Sequence, residues 1–214
     1  MTKPISLSPL ELDALRETGN LGAARAADAL SRLLGRPVGI DVPRSSVISL
    51  ESLPGLVGGP ETVVAAVYFR LMGAAPGGLV FLVDGPSLAP LLKALLGETF
   101  EAAPPLSAES ASALKEMGNI LCGSYLTAMS EMVGFPIMLS VPALAVDMAA
   151  SVFESVAADA AQHGSHALVL ESRLLDGGLP VPLHLFYLPE PGSLEALLAG
   201  LARKTGVDPR GPRG

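Results

Sequence analysis

The sequence contains an internal repeat that limits the folds the chain can adopt. The segment Leu12–Asn20 (LDALRETGN) resembles Ala111–Asn119 (ASALKEMGN) at an offset of 99 residues. The same offset aligns Gly35 with Gly134, and no gap is needed over the aligned stretch. A repeat of this length predicts two copies of one folding unit that bury their apolar faces against each other.

Each copy begins with a helix signal. Residues 8–11 (Ser-Pro-Leu-Glu) form a capping-box pattern with proline at the first helical position, and Ser107 provides a simple serine cap. Gly35 and Gly134 end the helices, and a proline follows each glycine two residues later. The pattern therefore predicts two helices of about 25 residues each.

Short β-like runs and a second helix follow each long helix. The predicted strands are 38–42, 47–50, 63–71 and 78–83 in the first half, and 137–141, 144–148, 167–174 and 181–188 in the second. Turn residues at 75–78 and 176–178 predict hairpins, and the predicted closing helices are 87–96 and 193–201. We therefore expect an α+β fold, a duplicated α-β-β-β-β-α unit with pseudo-twofold symmetry. Two long helices would cover a mainly antiparallel sheet.

The domain organisation follows from the repeat. We expect residues 1–214 to form a single domain built of two repeats, about 8–97 and 107–204, because the stretch between them is short for an independent linker. Residues 205–214 have the composition of a flexible tail.

Composition excludes several classes of protein. With 14 basic and 21 acidic residues, a net charge of −7 and no basic cluster, nucleic acid is not an expected partner. The longest stretch without a charged residue, Met132–Val146, is shorter than the roughly 18 residues that span a bilayer, so we expect no membrane insertion. The first ten residues do not resemble a secretory signal, and the lone Cys122 indicates a reducing, cytoplasmic setting.

Both long helices are predicted to have one polar and one apolar face. At 100° per residue Asp13, Glu17 and Asn20 share one stripe, and Ser112, Glu116 and Asn119 repeat it. Apolar and small residues occupy the opposite face. The predicted inward-facing residues are Leu12, Leu15, Gly19, Ala23, Leu30 and Leu33 in the first helix, and Leu114, Gly118, Cys122, Tyr125, Met129 and Met132 in the second.

The two asparagines are the most informative residues. Asn20 and Asn119 are the only asparagines in the chain, and both lie in mid-helix, where asparagine is a mediocre helix former. A duplication whose surface has not diverged would also match at other exposed positions, but Arg25 aligns with Ser124. A carboxamide has a donor and an acceptor on one planar group, so it can orient a water against a substrate oxygen, as glutamine does in GTPases.

The stripes are incomplete as catalytic sites on their own. Each offers one certain carboxylate and no histidine, so we expect no metal held by the protein itself. Such a site suits a macromolecular substrate that brings its own metal and electrophile. The small Ala24 and Gly123, one turn further on, leave room for a partner. We expect His163 and His166 to lie in an exposed loop rather than at a metal site.

The doubled pattern resembles the CheC family of chemotaxis phosphatases, which is related to CheX and FliY. The spacing Asp/Ser-x3-Glu-x2-Asn-x22-Pro is met by Asp13, Glu17, Asn20 and Pro43, and again by Ser112, Glu116, Asn119 and Pro142. Two motifs in one chain resemble CheC more than CheX, which keeps one Glu/Asn pair. Both prolines fall between predicted strands, which indicates a structural role.

The resemblance implies a function and partners. It implies a protein phosphatase that hydrolyses the aspartyl phosphate of a CheY-type response regulator, with Asn20 and Asn119 orienting the attacking water. Glu17 and Glu116 would pair with the active-site lysine of the regulator, and Mg²⁺ would be supplied by the regulator. Asp13 and Ser112 either support the docked regulator or face solvent.

An alternative hypothesis remains open at this point. The chain could be a non-catalytic adaptor that binds either the receptor deamidase CheD or a component of the flagellar switch. The resemblance also implies CheD as a partner. Partner binding that is indifferent to both asparagines would distinguish the adaptor from the phosphatase.

Overall fold

The computed structural model describes residues 9–97, 105–159, 166–176 and 180–205. Six helices and seven strands lie in these ranges. The helices are α1 Pro9–Leu34, α2 Leu53–Leu56, α3 Gly85–Leu96, α4 Ala108–Val133, α5 Ala149–Asp159 and α6 Ser193–Thr205. The strands are β1 Gly39–Ser49, β2 Val63–Gly73, β3 Gly77–Asp84, β4 Ile137–Leu139, β5 Ala143–Met148, β6 His166–Leu175 and β7 Val181–Pro189.

The two long helices end where the sequence predicts. The Ser107 hydroxyl accepts a hydrogen bond from the Ser110 N–H at 3.1 Å and caps α4. Gly134, with φ of +80°, donates its N–H to the carbonyl of Ser130 at 2.9 Å and ends that helix. Gly35 follows α1 with φ of +66°. Since only glycine adopts this backbone region without strain, both helices stop at the same position of the repeat.

Strands from both halves are interleaved in one sheet. The order is β1-β6-β7-β3-β2-β4, and β5 also pairs with β2. Every pairing is antiparallel. The first strand of each half therefore pairs with the hairpin of the other half, and a twofold axis between β7 and β3 relates the two halves. This arrangement confirms the predicted α+β class and antiparallel sheet.

The sheet separates two apolar cores. The larger core lies on the side of α1 and α4, and its buried side chains include Leu15, Leu30, Leu114 and Met117. The smaller core lies on the other side, where Val152 and Phe153 of α5 and Leu53 of α2 pack on the sheet. The long helices therefore have one face fixed against the sheet, and their opposite faces are left to solvent.

Three features of the fold differ from the sequence prediction. Residues 38–42 and 47–50 belong to one continuous strand, β1, with an irregularity in register between Asp41 and Arg44. The sequence prediction does not include helices α2 and α5. Both are short and pack on the smaller core. Helix α6 continues to Thr205, which was assigned to the tail. The rest of the tail, 206–214, lies outside the described residues.

Two predicted side-chain positions are wrong. Leu33 is 54% exposed rather than buried, because the contacts of α1 with the core end at Leu30. His166 does not lie in an exposed loop: it is half-buried at the start of β6, opposite Ser49 of β1. His163 lies outside the described residues. Cys122 is a free thiol with no exposed surface, as predicted, and burial raises its pKa.

Across the described ranges, no helix combines the length and the hydropathy that a bilayer-spanning segment requires.

Glycine brings α1 and α4 close together. A Cβ added at Gly22 would lie 2.7 Å from Tyr125 Cδ1 and 2.8 Å from Tyr125 Cα. The Tyr125 hydroxyl and the Ser172 hydroxyl are 3.1 Å apart, so the ring is also tied to β6. Because one clash would be with a backbone atom, rotation of the tyrosine ring cannot relieve it.

We therefore predict that Gly22→Ala destabilises the protein. The added methyl group would force α1 and α4 apart, which should cost about 1–3 kcal/mol of the free energy of unfolding. Urea unfolding followed by circular dichroism measures this. The matched control is Gly123→Ala, where nothing lies within 4 Å of the added Cβ. Alanine in that helix should be neutral or stabilising by up to about 1 kcal/mol. Equal midpoints for Gly22→Ala and the parent would contradict the close approach.

Candidate functional site

The polar stripes of α1 and α4 lie on the solvent side of the molecule. Glu17 and Asn20 are exposed on α1, and Glu116 and Asn119 are exposed on α4. Both amide groups can therefore reach a docking protein. An amide buried in the core would have been incompatible with the chemistry expected from the sequence.

Packing on the inward faces fixes this orientation. A Cβ at Gly19 would lie 3.4 Å from Leu170 Cδ2, and one at Gly118 would lie 3.0 Å from Val67 Cγ1. These glycines let the helices approach the side chains of the sheet closely. Since each glycine directly precedes the asparagine of its stripe, the close contact sets the rotation of the helix at the point where the amide points outward.

The polar groups of the motif make no polar contacts of their own with the other residues that the structure describes. In the part of the chain that the structure describes, Glu17, Asn20, Glu116 and Asn119 have no hydrogen-bond or ion-pair partner. Exposed carboxylates and amides without partners contribute little to the stability of the fold. They remain available to bind an external group without first breaking an internal contact.

The second stripe borders an open groove of about 450 Å³. One wall, the helix wall, is formed by Ser112, Lys115, Glu116 and Asn119 of α4. The opposite wall, the strand wall, is formed by Leu139, Ser140, Val141 and Pro142. The strand wall is well ordered, because Ser140 and Arg70 of β2 exchange two hydrogen bonds of 2.9 Å: the Ser140 N–H donates to the Arg70 carbonyl, and the Arg70 N–H donates to the Ser140 hydroxyl. The groove therefore combines the amide with a rigid, partly apolar wall.

The corresponding wall of the first stripe is different. Val42 and Val141 occupy the same repeat position, but Val42 is 5% exposed and Val141 is 85% exposed. Val42 packs inward against Gly19, and its backbone remains part of β1, although the pairing with β6 shifts register between Asp41 and Arg44. In the second half the strand is interrupted between β4 and β5, and Val141 points to solvent. The two stripes thus share their motif but not their surroundings.

The candidate partner-binding residues also differ between the halves. Asp13 is exposed and forms an ion pair of 3.2 Å with Arg16 one turn along the helix, whereas Ser112 is exposed and uncharged. Ala24 is exposed, and Gly123 is half-buried with open space where a Cβ would lie. Pro43 is exposed at the irregularity of β1, and Pro142 is half-buried between β4 and β5, lining the groove.

The donor groups at the stripes do not resemble a metal site. Among the described residues, no three or more His, Cys, Asp or Glu side chains cluster in a way that could hold a metal ion. The second stripe offers a single carboxylate, whereas Mg²⁺ is normally held by several oxygen ligands. The arrangement fits a site that positions a water and binds a charged partner.

Sequence reasoning missed the strand wall of the groove and Lys115. Leu139 and Val141 were assigned to a predicted strand and attracted no functional interpretation. Lys115 precedes Glu116 and lies four residues before Asn119, which places it beside the amide on the helix surface. That spacing could have identified it.

Comparison with known proteins identifies the family of the chain. The CheC-like family matches residues 10–47 and 109–146, two segments separated by the same 99 residues as the repeat. The chain is 33% identical to "CheY-P phosphatase CheC" of Bacillus subtilis over 195 residues, which cover 89% of this chain and 93% of that protein. It is 31% identical to "Flagellar motor switch phosphatase FliY" of the same organism, over 64% of this chain and 35% of the relative.

Solved structures share the fold. FliY of Thermotoga maritima has a TM-score of 0.73 at 22% identity, and covers 94% of this chain and 100% of that chain. A chain of the FliM–SpeE complex of H. pylori has a TM-score of 0.70 at 12% identity, over 94% of this chain and 98% of that chain. At these identities the likeness shows the fold alone.

The difference between the two strand walls can be tested by thiol labelling. We predict that Val141→Cys reacts rapidly with a maleimide in the native protein, because that position is open to solvent. Val42→Cys should be protected, and the buried Cys122 should give little background. Mass spectrometry counts the labels, and labelling in denaturant provides the control for total thiols. Similar labelling rates at both positions would show that the two walls are equivalent.

Proposed function

This chain belongs to the CheC-like family, and from that premise we propose that it is a phosphatase that hydrolyses the aspartyl phosphate of a phosphorylated CheY-type response regulator. The observation that carries the proposal is the pair of stripes: each presents a Glu and an Asn in the same register, exposed and without a partner among the described residues. The partner is a folded protein, because the stripes lie on long helices that present an extended surface.

The proposed chemistry requires little from the phosphatase itself. The carboxamide of Asn20 or Asn119 holds a water in line with the scissile bond between phosphorus and the aspartyl oxygen. The water oxygen bonds to phosphorus, the aspartyl oxygen leaves as a carboxylate, and the proton of the water goes to solvent or to phosphate. Positioning and electrostatic stabilisation account for most of the catalysis in reactions of this kind.

The remaining groups bind the regulator. Glu17 and Glu116 pair with a lysine of the regulator, since both carboxylates are exposed and neither has an ion-pair partner among the residues that the structure describes. Asp13, Ser112, Ala24 and Gly123 form the edge of the docking surface. Mg²⁺ is supplied by the regulator, because the oxygen donors of the stripes are too few to bind it.

A cytoplasmic location is part of this proposal. The substrate is an intracellular type of signalling protein, and Cys122 is a free thiol. The deamidase CheD is a further proposed partner. A purely adaptor role is less well supported, because both Glu/Asn pairs are exposed and two similar proteins are named as phosphatases.

We predict that Asn20→Ala combined with Asn119→Ala abolishes accelerated dephosphorylation while the fold survives. Loss of a water-positioning amide should raise the barrier by about 2–4 kcal/mol, by analogy with a lost oxyanion-hole donor. A phosphate-release assay with a phosphorylated CheY-like protein measures the rate, and thermal unfolding verifies the fold. Leu33→Ala, a change at an exposed helix position away from the stripes, is the matched control. Unchanged phosphate release in the double variant would refute the assignment.

We also predict that the two single variants differ. Asn119→Ala should reduce phosphate release severalfold more than Asn20→Ala, because Asn119 lines the open groove beside the exposed Val141, whereas Val42 at the matching position of the first half is buried. The comparison uses initial rates at limiting regulator. Equal losses would mean that the groove does not contribute to turnover.

A further inference from the structure

Lys115 lies in the groove of the second stripe without an assigned role. It lines the groove together with Glu116 and Asn119, and it is exposed. Because it precedes Asn119 by four residues, the two side chains are neighbours on one helix face. Glu116 is adjacent in sequence but points away from Lys115 by about 100°, so it does not compete for the ammonium group.

The charge of Lys115 is not neutralised by the protein. Within the described ranges, no carboxylate lies in ion-pair distance of it. The corresponding residue of the first half, Arg16, forms the 3.2 Å pair with Asp13. In the second half Ser112 replaces that aspartate, so a pairing of this kind cannot form.

The two stripes therefore present different fields to an anion. Together with the adjacent Arg16, the first stripe has the carboxylates of Asp13 and Glu17 and one guanidinium group. Together with the adjacent Lys115, the second stripe has the carboxylate of Glu116 and one ammonium group. A phosphoryl group has a charge near −1.5 to −2 at neutral pH. Its approach is opposed less by the second stripe, and an ammonium is a common phosphate ligand that acts as a point charge.

We propose that Lys115 is a substrate-recognition residue of the second site, whose ammonium group binds the phosphoryl oxygens of the regulator beside Asn119. The inference rests on the proposed function. Lys115 distinguishes the phosphorylated regulator from the unphosphorylated one, because its contribution exists only when the phosphoryl charge is present. Arg16 has no equivalent role, since Asp13 already holds it.

The kinetic test isolates each site. In an Asn20→Ala background, which leaves only the second site, Lys115→Met should raise KM for the phosphorylated regulator by about fivefold or more and weaken its dependence on salt. Lys115→Arg should restore most of the loss. Arg16→Met in an Asn119→Ala background is the matched control in the other half and should change KM less than twofold. Lys93→Met removes the same charge from an exposed position of α3 outside the groove and should have no effect.

A binding test separates this inference from the proposed function. The regulator activated with beryllofluoride, a stable mimic of the aspartyl phosphate, should bind the Lys115→Met variant about fivefold more weakly than the parent. The unactivated regulator should bind both equally. If KM and binding match those of Lys93→Met, the role of Lys115 is overturned while hydrolysis stands. If the parent releases no phosphate but binding still depends on Lys115, recognition stands and the proposed hydrolysis fails.

Discussion

The close packing of two glycines on one sheet governs the rest of the molecule. Gly19 and Gly118 let α1 and α4 lie against Leu170 and Val67, and this contact fixes the rotation of each helix about its axis. Because the inward face is fixed, the face opposite is fixed as well. The orientation of Asn20 and Asn119 toward solvent is thus a consequence of core packing, and no contact of the amides themselves is needed to maintain it.

The sheet makes this geometry rigid in both halves together. The strands that follow each long helix pair with the hairpin of the other half: β1 pairs with β6, and both β4 and β5 pair with β2. Neither half can complete its own part of the sheet. The two stripes are therefore coupled through one core, and their similar orientation follows from the pseudo-twofold axis rather than from contacts between the stripes.

Local signals allowed much of this to be predicted from the sequence. Glycines at the helix ends, caps and the 99-residue offset indicate the fold class, and 3.6-residue periodicity places the stripes on the exposed faces. Where the outcome depends on distant residues, these signals fail. Leu33 lies on the apolar side of α1, yet it is exposed because the core ends before it. Helix α5 is a different case: Ala149, Val152, Phe153 and Val156 have the spacing of one helix face and are buried in the smaller core, so its sequence does carry a helical pattern.

The candidate site shows the same limit more sharply. The motif residues could be predicted because they repeat. The groove could not be predicted, because the two copies align without a gap in sequence and yet differ in strand structure beside the motif. Val42 and Val141 have the same residue type and the same alignment, yet one is buried and the other is exposed. Both halves have a break in pairing here, but the backbone remains part of one strand in β1, whereas it leaves the strand between β4 and β5.

This divergence around a shared motif has a functional consequence. A duplicated fold constrains the inward faces of both helices, since each must fit the same sheet, but it leaves the surroundings of the outward faces free to change. In those surroundings Asp13 is replaced by Ser112, and the valine at the matching position is buried as Val42 but exposed as Val141. The amides supply the same chemistry at both sites, whereas charge and groove shape decide how well a phosphorylated protein is held there. Differences in substrate recognition between the two halves can therefore arise without any change in the catalytic groups.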